Sequence, residues 1–402
     1  MPVLAQHGYG AGSKIQTALE NGYIDGCIFS SKDIPQEKFL AAIADINKSK
    51  DKASIYFDPQ YYATTIAQEP NAKLGYLASD YTNYFSSKTL RDLRREKNVS
   101  SEAEKVIRFQ KETLNLSNII APNILIQDGL NSASSSISKN FLEIGAEKAA
   151  DASAEKQTLL TLALDQSCFR SSQDLLDLVD EITGMNLNVK GFYILVETSK
   201  EDGPNPWYTP EILAGQMYLA YALSQNGYEV VFGYSFLPAP YLWAAGANSI
   251  ACGWFNTLRY FSMNRFRDLS KGGRKANRRY LSNATWYPME WTQVQMLPRS
   301  LNLMNGFETD KLYTKPQGDK RPNEEDEILQ YWDSLKNKEK YVLKAPYAEA
   351  RTQQLLEDLK RQTVALAGIR AGGRIPYADE MLRGCLRSLA LFAEFAEFTL
   401  TV

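Results

Sequence analysis

The chain has 402 residues, 44% of them hydrophobic and 23% charged, with a formal net charge of -2. This is globular composition with enough apolar material for a large core. The near-neutral charge excludes a surface that is basic throughout, so any nucleic-acid site must be a local patch.

The four cysteines, Cys27, Cys168, Cys252 and Cys385, form no C-x-x-C pair. In strand-like surroundings they read as small hydrophobes, which suits a reducing compartment better than a disulfide scaffold. The start, MPVLAQHGYG, has no basic region followed by an apolar run. No segment reaches the roughly 18 apolar residues of a membrane span. A cytoplasmic protein with no membrane contact is therefore expected. His7 is the only histidine, so a histidine-based triad has one candidate base and no zinc site can use two histidines. No metal or cofactor is expected.

Eight short apolar runs recur through the first 254 residues: Val3-Ala5, Gly26-Ser30, Ser54-Phe57, Ile119-Ile126, Leu159-Leu164, Gly191-Val196, Glu229-Gly233 and Ser249-Cys252. Amphipathic stretches lie between them. Ser13-Asn21, Pro35-Asn47, Ser171-Thr183 and Pro210-Gln225 carry helix start and stop signals at their ends. Strands alternating with helices predict a parallel sheet, and eight strands close a barrel with a filled interior. The expected fold is α/β, a TIM-like (β/α)8 barrel over residues 1–262. An open doubly wound sheet is the alternative.

Residues 60–117 interrupt the rhythm and read as an insertion ending in a helix over 101–114. The Ser-rich tract Asn131-Ser138 reads as a loop leading into a helix. Beyond Trp254, Phe255-Phe266 reads as helical. Residues 263–402 then form a basic loop and a helical C-terminal extension. Pro316-Asp326 reads as a linker. Helices are expected over Glu324-Lys340, Tyr347-Ile369 and Tyr377-Phe398, the last two separated by the Gly372-Gly373 turn. Leu382, Leu386, Leu389, Phe392, Phe395 and Phe398 form an apolar face that packs on the barrel or meets a protein partner or second copy.

A barrel of this kind places its active site at the C-terminal ends of its strands. The acids there are Asp58, Asp128, Asp165 and Glu197. Carboxylates converging on one partly dry mouth acquire split pKa values, so one can act as base or nucleophile and another as acid. They are the candidate catalytic residues, Asp165 first and Asp58 second. His7, Gln60, Tyr61, Gln166, Tyr234, Trp254 and Arg259 are candidate substrate contacts. Gly8-Tyr9-Gly10-Ala11-Gly12-Ser13 reads as a tight turn before a helix, or as a phosphate cradle. Lys271, Arg274, Lys275, Arg278 and Arg279 would hold a nucleic-acid backbone, or be neutralised by Glu324, Glu325, Asp326 and Glu327.

The segment Leu237-Pro-Ala-Pro-Tyr-Leu-Trp-Ala-Ala-Gly-Ala-Asn-Ser-Ile-Ala-Cys-Gly-Trp-Phe-Asn-Thr-Leu-Arg259 resembles the late strands of the tRNA-guanine transglycosylase-like barrels. The resemblance implies base exchange or N-glycosidic cleavage on DNA or RNA by aspartates at strand ends. Asp165 and Asp58 would be the counterparts of those aspartates, with Trp254 and Arg259 at the mouth. The family's zinc-binding cysteine cluster is missing, which implies a zinc-free relative. Two other readings stand beside it: a barrel enzyme on a small sugar or phosphorylated metabolite, and a non-catalytic subunit of a larger assembly.

Overall fold

The computed structural model describes residues 2–66, 72–198, 208–267, 278–297, 299, 302–314, 323–370 and 378–401. Lys271, Arg274, Lys275, most of the Pro316-Asp326 segment and the Gly372-Gly373 turn lie outside them.

The expected runs form parallel strands: β1 (Val3–Gln6), β2 (Gly26–Ser30), β3 (Ser54–Asp58), β4 (Ile119–Ala121), β5 (Leu125–Ile126), β6 (Thr158–Asp165), β7 (Gly191–Glu197), β8 (Glu229–Phe232) and β9 (Ser249–Cys252). Pro122, which lacks a ladder donor, lies between β4 and β5, and both halves pair with β6. They share one position, so nine strands fill eight places. The order is β3-β2-β1-β9-β8-β7-β6-β4. The first and last strands are therefore neighbours, as in a barrel and not in an open doubly wound sheet. The fold is a nearly closed TIM-like barrel whose seam lies between β3 and β4.

Side chains bridge that seam at the foot of the barrel. Asn118 Nδ2 donates to Ile55 O at 3.3 Å. Lys190 Nζ lies 3.0 Å from Asn118 Oδ1 and 3.1 Å from the Tyr56 hydroxyl. Tyr56 on β3 also crosses the interior to Glu229 on β8, at 3.1 Å. Strands β6 and β7 are buried almost end to end, as expected of strands covered on both faces.

The helices follow from their ends. Ser171 caps Ser172–Gly184 by accepting from Asp174 N, and Pro210 opens Pro210–Gln225. The Ser-rich tract is helical from Ala133, because Ser132 accepts from Ser135 N and starts the turn there. The insertion holds short helices and the longer Glu96–Arg108, which runs on as a π turn over Phe109–Thr113.

The sequence-based boundary at residue 262 cuts through the barrel. Helix Glu324–Val342 packs against β1, between helix Lys14–Glu20 and helix Ala239–Ala245. Its Trp332 Nε1 donates to Cys252 O on β9 at 3.2 Å, and Lys336 pairs with Asp25 at 2.7 Å. It is the eighth helix of the ring. An Asn323–Asp326 capping box starts it. The chain between β9 and this helix is thus one enlarged βα loop. It contains an antiparallel hairpin, β10 (Arg279–Ser282) and β11 (Tyr287–Glu290), that the sequence pattern does not foretell. The expected helix over 255–266 is replaced by two short 3₁₀ turns, Asn256–Leu258 and Met263–Arg265. Phe261 there bridges to Glu197 in parallel, with Thr198 N donating to Phe261 O at 3.2 Å. Tertiary pairing has outweighed local helical pattern.

Helix Ala378–Phe395 lays its apolar face on Pro210–Gln225. Tyr218 meets Phe395, and Tyr221 meets Phe392 and Phe398, with ring centroids 5.2–6.0 Å apart. No helix among the described residues is long and apolar enough to cross a membrane.

Candidate active site

Asp58 ends β3 inside the mouth and is 1% exposed. Gln60 N donates to its Oδ1 at 2.9 Å. The hydroxyls of Tyr62 and Tyr193 donate to its Oδ2 at 2.9 and 3.2 Å. Tyr193 comes from β7, across the barrel, and its hydroxyl lies 3.5 Å from Gln6 Oε1 on β1. Burial pushes the Asp58 carboxyl up to about 6, and the three hydrogen bonds together with the nearby Arg265 oppose that rise.

Gln60 joins this carboxylate to the neighbouring strands. It adopts φ +50°, and its Nε2 donates to Ser30 Oγ at 2.8 Å and to the Tyr234 hydroxyl at 3.3 Å. Its Oε1 accepts from Ser31 Oγ at 3.2 Å and Lys32 N at 2.9 Å. Ser30 Oγ donates to Asp33 Oδ2 at 2.8 Å. Tyr234 follows β8, also at positive φ, +53°. Left-handed backbone at non-glycine residues is uncommon and clusters where geometry is held for use.

The enlarged loop closes the ring. Arg265 enters the mouth and pairs with Asp33 at 3.2 Å. Its guanidinium lies 4.8 Å from the centre of the Tyr234 ring. Phe261 packs on Tyr62 and Tyr234. His7, after β1, packs at a tilt on Phe29, with ring centroids 5.1 Å apart, and edge-on against Trp254. Burial lowers its pKa to about 4, so it is a neutral imidazole at physiological pH. Three buried polar atoms around this ring have no hydrogen-bond partner among the described residues: Gln6 Nε2, His7 Nδ1 and Arg265 Nη1.

The other candidate residues are spread around the barrel. Asp165 caps the turn that follows β6, accepting from Ser167 N at 2.8 Å and from Ser167 Oγ. Gln166 is half-buried in that turn. Glu197 faces Asp165 across the β6–β7 pairing, but its Oε1 accepts from Met263 N at 2.8 Å, holding down the enlarged loop. Burial pushes the Glu197 carboxyl up. Asp128 is exposed in a left-handed turn at φ +61°. Tyr61 turns outward to Glu102, at 3.2 Å, and to Phe141. Trp254 is buried and donates to Tyr9 O at 3.0 Å. Arg259 clamps Gly253 O and Trp254 O and lies over the Tyr331 ring. Arg278 pairs with Glu324 and Glu327, each at 3.6 Å, while Arg279 is exposed.

The structure thus brings Asp58, Gln60, Tyr234 and His7 together and distributes the rest. Sequence reasoning missed Asp33, Tyr62, Tyr193 and Arg265 as members of the site. A tyrosine inside the apolar run of β7 was a readable signal for Tyr193. Arg265 carries none, because only the path of the loop brings it to the mouth.

No group of three or more His, Cys, Asp or Glu residues suited to a metal ion occurs among the described residues. In comparisons with known proteins, no family model and no curated protein matches the sequence. Solved structures that match include the carboxyl transferase domain of Rhizobium etli pyruvate carboxylase with pyruvate and biocytin, at 13% identity and a TM-score of 0.34. The same domain with pyruvate matches at 12% identity and a TM-score of 0.33. Each alignment covers 99% of this chain and 61% of that one. The chain therefore spans under two thirds of their length, and a likeness this remote carries no chemistry over. Nothing in these comparisons supports the transglycosylase resemblance.

Proposed function

We propose that the chain is a barrel enzyme that moves a proton on a small molecule bound at the mouth, with Asp58 as the acid–base group. The observation that carries this is the Asp58 carboxyl itself. It is buried, held by two tyrosine hydroxyls at the C-terminal end of a barrel strand, and brought to about 6. A carboxylate with a pKa near the working pH both accepts and returns a proton effectively. In the forward step Asp58 takes a proton from a substrate C–H, and the electron pair of that bond remains on the substrate. In the return step the same proton, or one exchanged from water, goes back.

The nucleic-acid reading lacks comparable support. Of its five basic residues, three lie outside the described residues and Arg278 is spent on Glu324 and Glu327.

Deuterium exchange tests the proposal while the substrate is still unidentified. Protein incubated with mixtures of small metabolites in D2O is followed by loss of ¹H NMR signals. Exchange by the wild type that disappears in Asp58→Asn is the expected result. Equal exchange by the variant, or none by the wild type across a broad metabolite set, overturns it.

A further inference from the structure

The donors left unpaired beside Asp58 indicate what the substrate must present. Gln6 Nε2 and Arg265 Nη1 are both N–H donors, both buried, and neither has an acceptor among the described residues. A buried polar group without a partner is destabilising, because it has given up its water for nothing. Gln6 reaches the Asp58 cluster through Tyr193, and the Arg265 charge acts on Asp58, so a ligand oxygen that meets both donors would remove that penalty.

The Gln6 side chain lies beside the Tyr193 hydroxyl that donates to Asp58, with its Oε1 3.5 Å from that hydroxyl oxygen. The Arg265 guanidinium is oriented by Asp33 through Nη2, at 3.2 Å, and by the Tyr234 ring beneath it. Nη1 is left over from those contacts.

Charge decides between ligand classes. Arg265 is matched by Asp33, and Asp58 adds a second negative group. A phosphate or dicarboxylate dianion would face two carboxylates with one cation already shared. A neutral carbonyl oxygen supplies the acceptor without that repulsion. It also becomes more negative as the reaction proceeds: when Asp58 takes a proton from the adjoining carbon, the electron pair moves onto the carbonyl oxygen as an enolate. Donors fixed before the reaction stabilise such developing charge more than they stabilise the ground state.

Resting on the acid–base reading of Asp58, we infer that the substrate is a small carbonyl compound with a C–H on the carbon next to the carbonyl, and that Gln6 Nε2 and Arg265 Nη1 receive its enolate oxygen.

Acetohydroxamate, a small planar analogue of an enolate, is the probe. Its binding is measured calorimetrically on the full chain, with acetate and inorganic sulfate as comparators. Acetohydroxamate should bind the wild type more tightly than either anion. Gln6→Leu and Arg265→Lys should each weaken it about tenfold or more, since each removes one aligned donor. Arg265→Lys keeps a cation for Asp33, and thermal melts confirm folding. If one variant fails to fold, the other and the wild-type comparison still decide. No acetohydroxamate binding, tighter binding of acetate or sulfate, or undiminished binding in the folded variants overturns the inference. The two proposals fail separately. Hydroxamate binding as expected with deuterium exchange that survives Asp58→Asn removes the acid–base role and leaves the oxygen site. Asp58-dependent exchange without hydroxamate binding does the reverse.

Discussion

Arg265 and Asp33 meet at 3.2 Å although 232 residues separate them in sequence. The pair ties the enlarged loop after β9 to the end of β2 and is largely shielded from water, with side chains 7% and 6% exposed. Removing one partner of a buried pair leaves a bare charge and typically costs about 3–5 kcal/mol. Arg265→Met alone should therefore cost about that much in urea unfolding. Adding Asp33→Asn should restore part of the loss, because the stranded carboxylate goes. Strictly additive losses would mean that the two groups do not interact.

His7 and Asp58 should pull stability in opposite directions over the same pH range. Asp58 is raised from 3.8 to about 6, so between those values the folded state holds the proton more tightly and stability falls as pH rises. His7 is lowered from 6.5 to about 4, so there the unfolded state holds the proton more tightly and stability rises with pH. Each contribution is on the order of 3 kcal/mol, and in the wild type they largely cancel. His7→Phe should expose the falling slope and Asp58→Asn the rising one, read from denaturant unfolding between pH 4 and pH 6.5. The single imidazole also gives one NMR signal, which should titrate near 4. A midpoint near 6.5 would place His7 in water.

The barrel was legible because its strands are covered on both faces. Runs such as Leu159-Leu164 and Gly191-Val196 have no polar side to confuse the period, and each reappears as a strand within a residue or so. The eighth helix was harder to place. Glu324–Val342 is readable as a helix, but its role depends on Trp332 reaching Cys252 across 80 residues. The loop before it misled for a related reason: Phe255-Phe266 has helical spacing, yet Phe261 pairs with the end of β7. At the site, reading the strand ends picked out Asp58 and Gln60. It also placed Asp165 ahead of Asp58 and included Glu197, and the oxygens of those two hold local backbone at Ser167 and Met263. Local sequence marks which residues end strands, but not which of them the long loop covers.

Because Glu324–Val342 packs on β1 within the ring, damage to it should unfold the whole barrel. Trp332 is 1% exposed, donates to Cys252 O, and meets Trp254 edge-on. Trp332→Ala should cost about 3–5 kcal/mol through lost burial and the cavity left behind. Unfolding should remain one transition by both far-UV circular dichroism and tryptophan fluorescence. A separate early transition would show that the C-terminal helices form an independent unit.

Gly233 sets how closely Tyr193 approaches Asp58. A Cβ at this position would lie 2.5 Å from the Tyr193 hydroxyl and 2.7 Å from Leu195 Cδ2. Only a glycine leaves that hydroxyl room to donate to the carboxylate. Tyr193→Phe removes the donor outright, and Gly233→Ala should displace it. Either change takes away a bond that favours the charged form, so the Asp58 pKa should climb above about 6. The expected rise is roughly one unit, seen as an upward move of the pH at which Asp58-dependent stability or exchange changes. Because both substitutions act on one bond, the double variant should shift no further than Tyr193→Phe alone. Two shifts that add would mean that Gly233 acts on Asp58 by another route.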